Sequence, residues 1–284
     1  MTTVRVCALQ MTSGSDVAVN ESAIFRLVEH ASDLGAAYIQ LPEYSTYWGP
    51  RSGYEAAAKT LDDGFIHQLG LLAKGRGVTV HLGSMLEPAP EGRFFNTSVV
   101  VGPSGKVEAI YRKTHLFDAQ PPGGAAYNES QYITPGEVLE VVDVAEMRLG
   151  LSICFDLRFA ELYRALALAG AQVFAVPAAF SAQTGPAHWE VLLRARAIEN
   201  HAFVIAAAQV GITREGLATH GHSMIVDPWG EILAHSLVVD EDTLLVDIDL
   251  EQVSMRRNQI EVLRLRRPAV YGRHVQTTEE RKQS

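Results

Sequence analysis

Cysteine is scarce in this chain: its 284 residues include two, Cys7 and Cys154. Two thiols cannot build a disulfide framework, and no C-x-x-C pair exists to act as a dithiol redox centre. That usage fits a reducing cytoplasm, and cytoplasmic residence is the expectation. Positive charge is also in short supply, with 24 Lys and Arg against 33 Asp and Glu and a net charge of -9. Such a balance repels nucleic acid and sets that partner aside. No apolar run is long enough to span a bilayer, and the opening MTTVRVCALQM lacks the pattern of a signal peptide, so no membrane partner is expected. The ten histidines include no H-E-x-x-H, and no second cysteine accompanies Cys154, so no metal and no cofactor is expected.

What is present is an ordinary globular composition, 47% hydrophobic and 20% charged, long enough for one large core with no forced domain break. Val4, Val6 and Ala8 read as a first strand with Cys7 on its other face. Asn20–Leu34 carries apolar residues at helical spacing and stops at Gly35. Ala36–Leu41 is a strand broken by Pro42, Asp63–Lys74 a second helix, and Val78–Leu86 a further strand. Thr97–Val101 and Val107–Tyr111 flank a Pro103–Ser104–Gly105 turn and read as a hairpin. The segment Ala119–Gly136 is too rich in Pro and Gly for regular structure, and loops of that length are usually functional or disordered. Val141 to Ile153 reads as buried strand material, followed by a helical run that stops at Gly170. Gln172–Val176 is a strand ended by Pro177. A helix follows from Thr184 or Gly185 to Asn200, then strands at Val204–Ala208, His222–Val226 and Thr243–Ile248, with a polar, basic tail from Leu265.

Gly35–Pro42 and Gly170–Pro177 share a Gly-Ala start, an apolar middle and a terminal proline, and each follows an amphipathic helix. The match points to two related β-α-β halves whose sheets stack face to face.

Cys154 falls where a strand gives way to a helical run. N–H groups at a helix start lack intrahelical acceptors, so a thiolate there is stabilised, its pKa is expected to fall, and a nearby oxyanion finds donors. A buried free cysteine is as readily a small hydrophobe, and position alone leaves both readings open. Glu43, Lys113 and Glu129 share the placement of Cys154 at or beyond a strand end, where the sites of layered α/β folds gather. Together they supply the parts for hydrolysing an unactivated amide. Cys154 is the nucleophile, and Glu43 is the base that takes its proton and returns it to the departing ammonia. Lys113 and the backbone N–H of Phe155 face the oxyanion, and Glu129 is a second acid that helps Glu43 hold a proton. His115 offers a Cys–His pair as a poorer second.

Glu43 in QLPEY, Lys113 in YRKTHLFD and Cys154 in SICFDLRFAELYR resemble the Glu-Lys-Cys triad of the nitrilase superfamily, the carbon–nitrogen hydrolases. Glu129 in YNESQYITPGE matches that family's additional glutamate. The likeness runs from VRVCALQM through TGPAHWEVLLRARAIENHAFVIAAAQ and HGHSMIVDPWGEIL to LRRPAVYG. TGPAHWE and CFDLRF are most similar to the Nit branch, which holds deaminated-glutathione amidases and ω-amidases of 2-oxo acid amides. The resemblance implies an α/β fold, a four-layer αββα sandwich spanning residues 1–264. It also implies a homodimer or higher homo-oligomer packed through helical faces, with a tail, residues 265–284, that crosses the interface.

It further implies an amidase converting the terminal amide of a small carboxylate-bearing substrate to acid plus ammonia. Arg158 would grip the substrate carboxylate and Thr184 would donate a further hydrogen bond. A salt bridge from Arg158 to Asp156 or Glu161, and a helix cap at Thr184, are the plainer readings of those two residues. The candidate substrates are deaminated glutathione and 2-oxoglutaramate. A carbamoyl hydrolase of the same superfamily is an alternative, with a cationic carbamoyl amine disfavoured by Arg158, and a non-catalytic binding protein on the same scaffold is another.

Overall fold

Pro42 and Pro177 each close a short central strand, and those strands hold the same place in two sheets of one design. The computed structural model describes residues 2–120, 126–213, 216 and 218–271; part of the long loop and most of the basic tail therefore lie outside the described residues. In chain order the first half runs β1 (Thr3–Gln10), α1 (Val17–Asp33), β2 (Tyr38–Gln40), α2 (Tyr54–Ala57), α3 (Gly64–Arg76), β3 (Thr79–Pro88), β4 (Phe94–Val101) and β5 (Val107–Arg112). Two short strands, β6 (Asp118–Ala119) and β7 (Tyr127–Asn128), pair with each other within the long loop. The second half runs β8 (Val141–Val144), β9 (Met147–Leu151), α4 (Ala160–Leu168), β10 (Val173–Ala175), α5 (Gly185–Asn200) and β11 (Phe203–Ala206). It continues with β12 (Val210–Ile212), β13 (Ala218–His220), β14 (Met224–Val226) and β15 (Ile232–His235). The chain then returns to the first sheet as β16 (Asp242–Asp249) before α6 (Glu251–Gln259) and α7 (Pro268–Tyr271).

The two large sheets read β16-β1-β2-β3-β4-β5 and β8-β9-β10-β11-β14-β15. Both have parallel pairings between their second, third and fourth strands and antiparallel pairings elsewhere. Gly35 and Gly170, which end the helices entering β2 and β10, both take positive φ (85° and 97°), a conformation glycine adopts without strain. The short match around the two prolines thus marks a real repeat of topology.

Alternation along β1 builds the layers. Val4, Val6 and Ala8 face the second sheet, in a core they share with Leu149, Leu151, Val173 and Ala175. Cys7 and Leu9 face the opposite way, against Ile24, Leu27 and Val28 of α1 and Leu69 of α3. On the outside of the second sheet, Leu162 and Leu166 of α4 and Trp189 and Leu193 of α5 complete the four-layer αββα sandwich. Each fully buried aliphatic or aromatic side chain contributes roughly 1.5–3 kcal/mol, so the two-faced burial of the central strands carries the fold. Asp16 caps α1 through the Val19 N–H, and Asp63 caps α3 through the Phe65 N–H. Among the described residues no helix is long and apolar enough to cross a membrane.

Two expectations need correction. The apolar run Val141 to Ile153 is not one strand. Ala145 and Glu146 adopt positive φ (47° and 62°), the conformation of a tight hairpin turn, and split it into β8 and β9. The helix after Cys154 also starts later than the spacing suggests. Cys154–Arg158 is a 3-10 turn, and α4 begins at Ala160.

Candidate active site

Cys154 opens the 3-10 turn that follows β9. Its φ of 47° lies in the left-handed region, which costs a branched or bulky residue of order 1–3 kcal/mol and is held only where neighbours over-determine it. Here they do. The Cys154 N–H donates to Pro177 O at 2.9 Å and the Asp156 N–H to Ile153 O at 3.0 Å, while the Asp156 carboxylate accepts from the Ile153 N–H at 2.8 Å. Phe155, between the two engaged amides, lines the cavity with Cys154. Because α4 starts six residues beyond the cysteine, its N-terminus does not back the sulfur. Burial is the main influence on the thiol and pushes its pKa well above the usual value. The Glu43 carboxylate, a hydrogen-bond partner of the sulfur, adds to that rise, and the Lys113 ammonium opposes it. The expected fall in thiol pKa is therefore reversed.

Lys113 follows β5 directly, and its ammonium lies between two carboxylates: 2.9 Å from Glu43 Oε1, and 2.9 and 3.2 Å from Glu129 Oε2 and Oε1. Lys113 and Glu43 are each 2% exposed, and Glu129 6%. Burial alone disfavours the ammonium, but Glu129 and Glu43 together outweigh it and raise the lysine pKa well above normal. Glu43 Oε2 accepts from the Ala179 N–H at 2.8 Å. Glu129 accepts from Tyr44 Oη at 2.9 Å and from the Phe117 N–H at 2.6 Å. The second glutamate thus addresses the lysine directly instead of lying against Glu43 acid to acid. Asn96 is a member of this cluster that sequence reasoning missed. Its Nδ2 donates to Glu43 Oε1 at 2.9 Å and to Glu129 Oε1 at 3.4 Å, and its backbone carbonyl receives the Lys113 N–H at 2.9 Å. A polar residue within FFNTSVVV is the only trace it leaves in the sequence.

These groups form the floor of a cavity of about 250 Å³, whose walls include Trp48, Tyr54, Phe117, Tyr127, Tyr132, Phe155 and Phe180. Arg158 and Thr184 line it too, joined by a hydrogen bond of 3.3 Å from the guanidinium to Thr184 Oγ1. Arg158 Nη1 also lies 3.1 Å from His188 Nδ1, and its guanidinium stands over the rings of Phe180 and Phe155. No carboxylate pairs with it among the described residues, so the salt bridge to Asp156 or Glu161 does not form. Burial lowers the Arg158 pKa, with the Cys154 sulfur acting the other way. Thr184 stands at the start of α5, yet its side chain makes no capping hydrogen bond. A second guanidinium, Arg51, also lines the cavity, and no motif in the sequence marks it.

A family model described as carbon-nitrogen hydrolase matches residues 5–258. The chain belongs to the carbon–nitrogen hydrolase family. It is an amide-hydrolysing enzyme of the Nit branch. The chain is 41% identical over 274 residues to the deaminated glutathione amidase of Rattus norvegicus, covering 94% of this chain and 83% of that protein. It is 35% identical over 273 residues to omega-amidase NIT2 of Homo sapiens, covering 96% and 98%. Among solved structures, the C. elegans NitFhit protein superposes with a TM-score of 0.88 at 34% identity, over 97% of this chain and 68% of that one.

In this carbon–nitrogen hydrolase the sequence neighbour that invited a Cys–His pair has another partner. The His115 ring bonds Asp156 Oδ1 at 2.7 Å, lies flat on Phe159 with centroids 3.6 Å apart, and is absent from the cavity wall. Arg196 of α5 reaches the same turn from outside, giving Leu157 O two hydrogen bonds of 3.0 and 2.8 Å. Among the described residues no group of three or more His, Cys, Asp or Glu side chains is placed to hold a metal. His220, His222 and His235 gather at a separate groove lined by residues of α5.

Proposed function

We propose that this hydrolase cleaves an amide of a small acid through a thioester on Cys154, with the substrate carboxylate held by Arg158 and Thr184. The observation that carries the reading is one cavity containing a thiol, an ammonium flanked by two carboxylates, and a guanidinium with no carboxylate partner among the described residues. One ammonium between two carboxylates leaves a net charge of minus one, which a single proton neutralises. Glu43 supplies that vacancy. It takes the thiol proton as Sγ bonds the amide carbon, so no free thiolate is needed at rest. The oxyanion meets the Lys113 ammonium and the Phe155 N–H; a donor of this kind is worth about 10²–10³ in rate. Glu43 then protonates the nitrogen, the C–N bond breaks, and ammonia or an amine departs. Water, deprotonated by Glu43, adds to the thioester, and the acid leaves as the thiol regains its proton. Glu129 and Asn96 hold Lys113 and Glu43 in register throughout.

The substrates this reading favours are deaminated glutathione, the substrate named for the rat relative, and 2-oxoglutaramate, a 2-oxo acid ω-amide. A cytoplasmic homodimer through the outer faces of α4 and α5 belongs to the same proposal. Exposed Leu168, Val191 and Ile198 support the interface, and two free cysteines suit a reducing compartment. Residues 1–264 would then form the hydrolase domain and 265–284 a tail reaching the partner. The test measures hydrolysis of both amides and of N-carbamoyl compounds by wild type and Cys154→Ala. Turnover of an amide that vanishes in the variant is expected. Equal turnover in both would remove Cys154 from the chemistry, and turnover of carbamoyl compounds alone would replace the substrate class.

A further inference from the structure

A guanidinium gives a carboxylate two parallel N–H bonds only when the two groups share a plane, so the orientation of Arg158 matters as much as its charge. The rings of Phe155 and Phe180, with centroids 5.8 and 5.1 Å from the guanidinium carbon, attract the cation but fix no direction within its plane. Direction comes from two acceptors. Nη2 donates to Thr184 Oγ1 at 3.3 Å, and Nη1 lies 3.1 Å from His188 Nδ1. One such bond would leave the guanidinium free to swivel about it. Two, on different terminal nitrogens, set the plane.

Both acceptors belong to one turn of α5. Thr184 and His188 are four residues apart, the spacing that places neighbours on one helix face, and the His188 N–H closes the turn on Thr184 O at 3.0 Å. The turn is anchored from beneath. Trp189 is fully buried, donates from Nε1 to His222 O at 2.7 Å, and packs its ring against Phe180 with centroids 5.0 Å apart. Gly185 lies against the His220 ring, where any side chain would collide. One of the rings under Arg158 and both of its acceptors are thus fixed to the start of the helix.

The chemistry needed at position 188 is narrow. A guanidinium offers only N–H donors, so His188 Nδ1 accepts, and the ring is neutral with its proton on Nε2. A carboxylate at this place would orient Arg158 and also neutralise it, while a cation would repel it. Neutral imidazole orients the guanidinium and leaves its charge for an anion.

We propose that His188 is a positioning residue. It stands outside the cavity lining and, by fixing the plane of Arg158, sets the preference of the enzyme for amides whose acyl half ends in a carboxylate. The inference rests on the amidase reading above and adds to it the residue that makes the Arg158 grip bidentate.

The probes are 2-oxoglutaramate and pentanamide, a neutral amide of equal chain length. In His188→Ala the ratio of kcat/KM, 2-oxoglutaramate over pentanamide, is expected to fall about three- to tenfold, the net worth of one hydrogen bond, with the change in KM for 2-oxoglutaramate. His188→Asn, whose Oδ1 accepts near the place of Nδ1, recovers most of the ratio. Added to Arg158→Ala, His188→Ala lowers the ratio no further, because it acts only through the guanidinium. A ratio taken within one preparation cancels any loss of folded protein. A ratio unchanged in His188→Ala, a loss that Asn does not restore, or a loss that persists without Arg158 overturns the role of His188, and the effect of Arg158→Ala alone then still decides the clamp. A wild-type ratio in Arg158→Ala, or a wild type that turns over neither amide, overturns that reading and this inference with it.

Discussion

The Asp156 carboxylate accepts the His115 ring nitrogen at 2.7 Å, and this contact joins the turn of the nucleophile to the strand end that carries Lys113. Asp156 is fully buried and also receives the Ile153 N–H, the His115 N–H and Tyr111 Oη. Lys113 lies between Tyr111 and His115, so one carboxylate sets the position of the ammonium relative to the sulfur. Asp156→Ala leaves several buried donors without an acceptor and is expected to cost about 3–5 kcal/mol of stability. Asp156→Asn keeps the volume but points an amide N–H₂ at existing donors. It should fold and lose up to about a hundredfold in kcat, the scale of a misplacement near 1 Å. Denaturant unfolding together with steady-state kinetics measures both; an Asn variant with wild-type kcat would show that Asp156 does not set the alignment.

The resting state of Cys154 is expected to be the thiol. Burial and the Glu43 charge both favour the protonated sulfur, against Lys113. Ultraviolet titration of wild type minus Cys154→Ser should show the thiolate band only well above pH 9, the ordinary thiol value. Glu43→Gln removes one charge that raises the thiol pKa and leaves Lys113 in place, so the same band should move to lower pH. A band titrating near neutrality in wild type would contradict proton transfer to Glu43 as the source of the nucleophile.

Much of this arrangement is legible in the chain because strand ends announce themselves. Pro42 and Pro177 stop their strands, and Glu43 and the Ala179 N–H that binds it follow within two residues of each. The αββα layering follows from two-faced apolar strands and the repeat around those prolines. Asn96 escapes notice because the carboxylates its side chain contacts, Glu129 and Glu43, lie 33 and 53 residues away along the chain, and nothing in local spacing records this. The state of the Cys154 thiol departs from what local sequence implies for a related reason. Desolvation and a carboxylate from another strand exceed any local helix contribution, and a 3-10 turn stands where helical spacing suggested α4.

Arg158→Ala should raise KM for amides bearing a carboxylate on the acyl half and change it little for neutral amides of similar size. The guanidinium has two hydrogen-bond partners, Thr184 and His188, and neither neutralises it, so its charge is available to an anion. Loss of a charge-assisted hydrogen bond corresponds to about 1.5–3 kcal/mol in kcat/KM. Kinetics on 2-oxoglutaramate against a neutral aliphatic amide provide the comparison, and equal losses on both would discard the clamp.

His81 gives the fold a pH dependence independent of catalysis. It lies fully buried between the sheets, with Nδ1 2.7 Å from Tyr38 Oη and Nε2 bonded to Ser98 Oγ. Tyr38 Oη donates to Gln40 Oε1, which makes His81 Nδ1 the donor and Nε2 the acceptor of a neutral ring. Burial pushes its pKa down from 6.5 to about 3. The unfolded chain therefore takes up a proton below pH 6.5 that the folded chain refuses. This contribution to stability is complete above 6.5 and shrinks as the pH falls towards 3, by up to about 1.4 kcal/mol per pH unit. His81→Asn removes the titrating ring, so its destabilisation relative to wild type should be largest near neutral pH and diminish in acid. Using the difference between the two proteins cancels the carboxylates they share. Urea unfolding at several pH values between 7 and 4 reads it directly. A gap that stays constant across that range would mean the buried ring is already charged or already free to titrate in the folded protein.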